Sequence, residues 1–541
     1  MNLPRTLPEI FVIIKHLFLQ NRFIRAGTSA RIMARIIAMM MCSVYFILFF
    51  GITNTHAQPL PEEDISRFLK GVMRIHVASQ PPDYVMPWNA GGVVTGYGTG
   101  FLISGNRILT NAHVCSNARF VAVEKEGDPK KYEARVKFIA HDCDLAILDV
   151  ADPEFFKDMI PVEFGGIPSL NSTVRALGYP IGGERLSVTR GVVSRIDFRI
   201  YSHSNADSHL TIQIDAAINS GNSGGPVIQN GKAVGVAFQG YSGNVAQNVG
   251  YMIPVPVIQR FLTDVKDGQY DHYVDLGIMM FPLLNRAHRR ALGLDSDDFG
   301  VLVSQVMTAG AAFGILQEGD VLLSIDGLPI FSSGDVDMDG DRVQMAEVVE
   351  RKFKGDTVSL QILRDGRKQS VTIAPNLPWP YLIQSRRYDA LPRFVMFGGL
   401  VFQPMSTNFV NALNIRDYKL LYHYTSFLEK EFYIEQPEII VLSKILQDPI
   451  NAYLNVFTNC IVEEINGMKI RTLEDVSAAL KKEADYYVIH MTGKGRPVVL
   501  EHGAVMAAKD RIMEKYGVLK EEYLGNSIVP EHIIHPSTTE N

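Results

Sequence analysis

The sequence predicts a mainly β chain in three folded units, one β-rich and two smaller α+β. Between residues 63 and 265, short apolar runs are broken by Gly, Asn and Pro. A block over 270–375 mixes strands with a helix, and a block over 390–505 repeats that pattern. At 541 residues the chain exceeds one hydrophobic core, and a prior of about 150 residues per domain gives three or four domains.

In the first unit, Gly100-Phe101-Leu102-Ile103 and Arg107-Ile108-Leu109-Thr110 flank Ser104-Gly105-Asn106, a hairpin turn signal. Val192-Val193, Leu145 to Leu148, Leu210 to Ile214, Val234 to Ala237 and Tyr251 to Ile253 continue the pattern. The spacing suits an antiparallel barrel or sandwich. After Pro254 and Pro256, apolar residues Val257, Ile258, Phe261, Leu262 and Val265 recur at helical spacing, predicting a closing helix before a linker at Lys266 to Gln269. The second unit carries a strand ending in Ile325-Asp326-Gly327, then a helix near Met345 to Phe353. The third carries Ile465-Asn466-Gly467, then a helix near Leu473 to Leu480, so the two read as an internal duplication. Pro375 to Pro380 connects them, and 506–541 reads as a C-terminal helix and loose tail.

The formal net charge is -6, from 52 basic and 58 acidic residues with no Lys/Arg run, which excludes a nucleic-acid footprint. Residues 36–52 are almost wholly apolar, with Arg31 and Arg35 ahead and Thr55-His56-Ala57 behind. Residues 1–57 therefore read as a secretory signal with an N-terminal extension, Met33 being an alternative start. The rival reading is an uncleaved membrane anchor over 36–52. Both export the bulk of the chain, to a periplasm or cell envelope. Cys42 lies in the signal, so Cys115, Cys143 and Cys460 leave an odd thiol.

Three segments of the first unit carry chemistry: Thr110-Asn111-Ala112-His113, Asp142-Cys143-Asp144-Leu145-Ala146, and Asn219-Ser220-Gly221-Asn222-Ser223-Gly224-Gly225-Pro226. A serine hydroxyl is a poor nucleophile until a base accepts its proton. A histidine does this near neutral pH, and a buried carboxylate fixes its tautomer and stabilises the imidazolium. His113, Asp144 and Ser223 form such a set. Glycines around Ser223 let the backbone turn so that the Gly221 and Ser223 amides face a developing oxyanion.

These motifs, with Gly98-Thr99-Gly100-Phe101, Gly178-Tyr179-Pro180-Ile181-Gly182-Gly183 and Thr189-Arg190-Gly191-Val192, resemble the Deg/HtrA family of trypsin-like serine proteases, the plant-type forms with two PDZ modules above all. The resemblance implies a chymotrypsin-like double β-barrel over 63–265 followed by two PDZ-like domains, the second divergent. It implies ATP-independent endoproteolysis of unfolded or damaged proteins, and assembly as a trimer or a multiple of trimers. The alternative is a non-cleaving chaperone or PDZ scaffold of the same fold, against which the intact triad speaks.

Digestive relatives of the fold carry Asp before the nucleophile to pair with a new N-terminus. Asn222 cannot do so, which favours loop rearrangement as the control. The segment 235–248, with Gln239, is expected to line the substrate pocket opposite Ile218 and Asn219. Leu276-Gly277-Ile278 is the expected PDZ carboxylate loop, where C-terminal peptides would add a strand. Gly398 to Phe402 is the candidate equivalent in the third unit, but an insertion over 405–436 separates it from the next strand, which speaks against peptide capture there and leaves a role in assembly as the alternative. The triad draws Cys115 and Cys143 together, so a disulfide between them competes with two buried thiols. No cofactor is implied, and His141-Asp142-Cys143 lacks a fourth metal ligand at suitable spacing.

Overall fold

The computed structural model describes residues 65–183, 185–240, 249–294, 298–377 and 383–527. Strands β1 (Val72–Ser79), β2 (Val94–Ile103), β3 (Arg107–Thr110), β4 (Ala118–Lys125), β5 (Lys131–Ala140) and β6 (Leu145–Asp149) close into an antiparallel barrel, β1-β2-β3-β6-β5-β4. Strands β7 (Thr173–Gly178), β8 (Ser187–Ile200), β9 (Ser208–Ile214), β10 (Pro226–Gln229), β11 (Lys232–Gly240) and β12 (Gly250–Pro254) close a second, β10-β11-β12-β9-β8-β7. Closure decides barrel over sandwich: β1 pairs with both β2 and β4, and β10 with both β11 and β7, so neither sheet keeps an edge. The hairpin forms at Ser104-Gly105-Asn106, where Gly105 and Asn106 take φ of 78° and 53° and Ile103 pairs with Arg107.

Period-two alternation places Met73, Ile75 and Val77 of β1 inside the first barrel with Leu102, Ile108, Val123 and Leu148. Ile212, Ile214, Val227 and Met252 fill the second. Opposite faces, including Phe101, Leu109, Ile147, Leu177 and Ile253, make the core between the barrels. A single turn, α1 (Ala112–Cys115), follows β3, and the closing helix α2 (Val255–Asp264) begins after Pro254. α2 buries Val257, Ile258 and Phe261 in that core, each worth roughly 1.5–3 kcal/mol of apolar transfer.

The second unit contains β13 (Ile278–Phe281), β14 (Val301–Val306), β15 (Val321–Ile325), β16 (Leu328–Pro329), β17 (Asp335–Met338), β18 (Asp341–Gln344), β19 (Val358–Arg364) and β20 (Arg367–Ile373). Its main sheet runs β13-β14-β15-β19-β20, with β13 at the edge, beside short helices α3 (Arg286–Ala291) and α4 (Ala346–Glu350). The unit is docked on the barrels. Arg260 of α2, buried, donates to the carbonyls of Glu350, Lys352 and His272, pairs with Asp264 at 2.5 Å, and lies over the Tyr273 ring. His209 of β9 pairs with Glu350 of α4. A buried charge is tolerable only when its hydrogen bonds are met, and here they are met across the junction.

The third unit is built from β21 (Phe394–Phe397), β22 (Leu400–Pro404), helices α5 (Thr407–Leu413) and α6 (Tyr418–Thr425), β23 (Ile440–Ile445), β24 (Cys460–Ile465), β25 (Met468–Lys469), α7 (Leu473–Lys481), β26 (Tyr486–Met491), β27 (Val498–Glu501), α8 (His502–Tyr516) and β28 (Glu522–Tyr523). It runs past the expected boundary at 505. Ala508, Ile512 and Val518 pack on Phe394 and Met396, and β28 pairs with β21, because an apolar face on α8 needs this sheet to cover it. The insertion, α5 and α6 included, packs against Met307 and Ala309 of the second unit. Among the described residues no helix is long and apolar enough to cross a membrane, and the apolar run at 36–52 lies outside them.

Burial lowers the His209 pKa, but Glu350, with Asp207 and Asp142, outweighs it and raises the folded value to about 9 from 6.5. Burial raises the Glu350 carboxyl to about 7, so the ion pair is complete between about pH 7 and 9, weakens below as Glu350 takes a proton, and is lost as pH rises through about 9. Limited proteolysis of the linker after α2 is expected to accelerate above pH 9 in the native chain, and His209→Gln to remove most of that pH dependence.

Candidate active site

The first barrel supplies two of the three expected groups. His113 sits in α1, which follows directly on β3, and Asp144 stands just before β6, so pairing of β3 with β6 brings them together. The Asp144 carboxylate accepts from His113 twice, from the backbone amide at 2.8 Å and from Nδ1 at 2.7 Å. Its side chain is 1% exposed, against 33% for His113. Asp144 holds a left-handed φ of 54°, and Asn111 Nδ2 donates to its carbonyl at 2.9 Å. An Asp tolerates that conformation better than a branched residue does. Burial lowers the His113 pKa, and the Asp144 carboxylate more than reverses this, leaving it above its ordinary value. For Asp144, burial acts upward, and His113 with His203 brings it below the usual carboxylate range. The two shifts agree: each partner favours the charged form of the other.

Ser223 stands in the turn ahead of β10. Gly221 and Gly224 have φ of 100° and 85°, and a Cβ on Gly224 would lie 2.1 Å from the Thr99 carbonyl oxygen and 2.2 Å from Thr110 Oγ1. The serine turn is thus pressed against the strands that carry His113. Thr99, buried in β2, ties it down: its amide donates to the Ser223 carbonyl at 2.9 Å and its hydroxyl to the Gly221 carbonyl at 2.7 Å. Thr110, three residues before His113, donates in turn to the Thr99 carbonyl at 2.7 Å. Among the described residues the Gly221 and Ser223 amides donate to no backbone carbonyl. The Ser223 hydroxyl has the Phe238 carbonyl as its acceptor, at 3.4 Å, and not the imidazole. Asn222 is buried with its Oδ1 unpartnered among the described residues.

The expected pocket residues fall around this turn. Ile218 packs over Gly250 of β12, which pairs with Gly240 of β11, and the Asn219 carbonyl accepts from the Asn222 amide. Gln239 lies in β11 opposite Tyr251, and its side chain and the loop 241–248 are outside the described residues. The disulfide is not formed. Cys115 and Cys143 are free and buried, Cys115 in the first barrel's core and Cys143 in the inter-barrel core with its Sγ 3.9 Å from the Tyr270 hydroxyl. Closeness to the triad in sequence did not align the two side chains, which enter different cores. Among the described residues no group of three His, Cys, Asp or Glu side chains is placed to hold a metal ion.

In the second unit, Leu276 is buried, Gly277 has φ of 71° and meets Gly310 backbone to backbone, and Ile278 opens the edge strand β13. The Gly277 amide already donates to Asp275 Oδ1 at 2.5 Å. In the third unit, Gly398 and Gly399 form the turn of the β21–β22 hairpin, with φ of 55° and 81°. β22 is therefore flanked by β21 on one side and β23 on the other and presents no edge for a peptide, contrary to its expected equivalence with the first PDZ loop.

Sequence reasoning named Thr99 only within the Gly98-Thr99-Gly100 family motif and gave it no role, and it passed over His203, Tyr388 and Asp389, for which no local pattern exists. His141 drew notice only as a metal ligand.

Comparison with known proteins places these features in a family. A trypsin-like peptidase domain matches residues 98–236, and PDZ domains match 274–374 and 383–522. The chain is 36% identical over 423 residues to "Protease Do-like 4, mitochondrial" of Arabidopsis thaliana, covering 78% of each chain. It is 34% identical to "Protease Do-like 2, chloroplastic" of the same plant, over 84% of this chain and 75% of that one. Among solved structures, "HtrA-type protease AlgW with decapeptide" is 25% identical over 58% of this chain and 97% of that one, with a TM-score of 0.44. With a trypsin-like peptidase domain, two PDZ domains and relatives 34% and 36% identical over most of its length, the chain belongs to the Deg/HtrA family of proteases.

Proposed function

We propose that this chain is a serine endopeptidase in which Ser223 is the nucleophile, His113 the general base and then acid, and Asp144 the group that orients and stabilises the imidazole. The observation that supports it best is the double hydrogen bond from His113 to the buried Asp144 carboxylate. An ionised carboxylate only accepts, so Nδ1 carries the proton and Nε2 is left to take one. Ser223 leaves the Phe238 carbonyl by a χ1 rotation, transfers its proton to Nε2 and bonds to the scissile carbonyl carbon. The oxyanion accepts from the Gly221 and Ser223 amides, a term worth roughly 2.7–4 kcal/mol per donor in comparable sites. His113 then protonates the departing amine, and water attacks the acyl-enzyme by the same route in reverse.

Unfolded or damaged polypeptides are the proposed substrates, cleaved without ATP, with assembly in trimers or multiples of trimers. Peptide capture is assigned to the β13 edge of the second unit. A terminal carboxylate at Gly277 must displace Asp275. The relatives' names, mitochondrial and chloroplastic, together with the reading of residues 1–57, favour an organellar or exported location. A non-cleaving chaperone or PDZ scaffold is the second reading, and the one observation in its favour is the Ser223 hydroxyl turned to Phe238.

Labelling by a fluorophosphonate separates the two. Ser223→Ala and His113→Ala are expected to abolish labelling and casein degradation while the chain stays folded, and Asp144→Asn to cost roughly 10³- to 10⁴-fold. Labelling of the native chain at background level would establish the non-cleaving reading. Only the neutral imidazole accepts a proton, so the labelling rate is expected to fall as pH drops through the His113 pKa, which Asp144 holds above 6.5. Asp144→Asn moves that limb to lower pH. Gly224→Ala, which forces a Cβ onto the Thr99 carbonyl at a left-handed φ, is expected to lower stability by about 1–3 kcal/mol and to abolish labelling by displacing the serine turn.

A further inference from the structure

The start of the third unit, ahead of β21, crosses the peptidase domain beside the His113–Asp144 pair. Tyr388 stacks on His203, centroids 4.1 Å apart and planes at 16°, and on His141 at 4.9 Å, and its hydroxyl donates to the His203 carbonyl at 2.9 Å. Asp389 accepts from His141 Nε2 at 2.9 Å and from the Asn117 amide at 2.5 Å, while its own amide donates to Asn117 Oδ1 at 2.8 Å. Just upstream, the Arg386 amide donates to the Ser204 carbonyl. Because Asp389 only accepts, His141 carries its proton on Nε2, and in the neutral ring Nδ1 then accepts from His203 Nε2 at 2.9 Å. The His203 ring lies 6.1 Å from that of His113.

We propose that Tyr388 and Asp389 are positioning residues of the peptidase site, holding His203 and His141 as a wall against His113 and Asp144. The proposal rests on the triad reading above and adds to it a control exerted from outside the peptidase domain. The Asp389–Asn117 contacts fix the residue two beyond the end of α1, and the Asp389–His141 bond fixes the residue three before Asp144. Both backbones that aim the His113–Asp144 pair are thereby tied to one segment. The groups facing His203 are Asp144, which favours its charged form, and His141, His113 and Arg386, which oppose it, with Tyr388 stacked on the ring and Asp389 beyond His141. Burial is the largest influence and keeps His203 neutral, with a pKa of about 4. Only then does the Asp144 charge act undivided on the imidazolium that forms at His113. Without the Tyr388 ring, water reaches His203, its pKa rises from about 4 towards the ordinary 6.5, and the charge it then takes in mildly acidic solution opposes His113.

The test uses full-length variants and a small fluorophosphonate, whose labelling of Ser223 does not depend on capture by a PDZ domain. Tyr388→Ala and Asp389→Ala are expected to lower the labelling rate per folded molecule by roughly 10- to 100-fold, the range for small misplacement of reacting groups. Tyr388→Phe, which keeps the ring, and Asp389→Asn, which keeps one acceptor, recover part of it. With a short peptide substrate the loss falls on kcat and not on KM. In Tyr388→Ala the pH–rate profile shows a second ionisation shifted up from about pH 4 towards 6.5. Thermal melts supply the folded fraction. An unchanged rate in both Ala variants, or a loss matching the unfolded fraction alone, overturns the proposal. Labelling retained in Ser223→Ala overturns the triad reading itself, so the two failures are distinguishable.

Discussion

The proposed peptidase site depends on keeping one charge, the Asp144 carboxylate, almost fully out of water. An isolated buried carboxylate protonates or is expelled, so the charge persists only where its lone pairs are met. His113 meets both oxygens, by its amide and by its ring, and Asn111 holds the backbone carbonyl behind them. The left-handed turn at Asp144 makes this possible, because it points the carboxylate back across the barrel seam towards α1. The segment before the turn is gripped from two sides. His141 is held by Asp389, and Asp142 by Tyr270 and His272 of the segment that follows α2.

That arrangement makes the PDZ domains more than appendages. Arg260 and His209 present charges to the second unit from the barrels, and in each case the compensating groups come from both sides of the junction. The third unit adds a separate hold: Trp88 of the loop before β2 donates to the Tyr516 carbonyl, and Lys444 to that of Val85. A shift of either unit that breaks these bonds without admitting water leaves a buried donor or acceptor unmet, at a cost of roughly 1–3 kcal/mol per group. Position of the PDZ domains and geometry of the His113–Asp144 pair are therefore coupled through hydrogen bonds with two distinct ends.

Much of the fold was legible from local pattern. The Ser104-Gly105-Asn106 hairpin, the helix after Pro254 and the repeated Ile-Asp/Asn-Gly strand ends rest on φ preferences and on periodicities of two and 3.6, which neighbouring residues settle among themselves. The third unit was harder. Nothing in Gly398-Gly399 says whether it cradles a carboxylate or turns a hairpin, since both need positive φ; pairing with β21 decides. Likewise the apolar positions of α8 predict a buried face without naming the sheet that buries it.

For the site, the amino-acid sequence by itself determined which groups are available: a histidine after β3, an aspartate before β6, and a serine in a glycine turn that excludes any Cβ. Those follow from residue chemistry and backbone sterics, which are local. Tertiary structure alone decided that Cys115 and Cys143 enter separate cores, that Thr99 ties the serine turn to the histidine strand, and that Tyr388 and Asp389 arrive beside His203 from some 185 residues away. Such contacts leave no periodicity in the chain, because each is selected by the closure of two barrels and the docking of two further domains, and not by its neighbours in sequence.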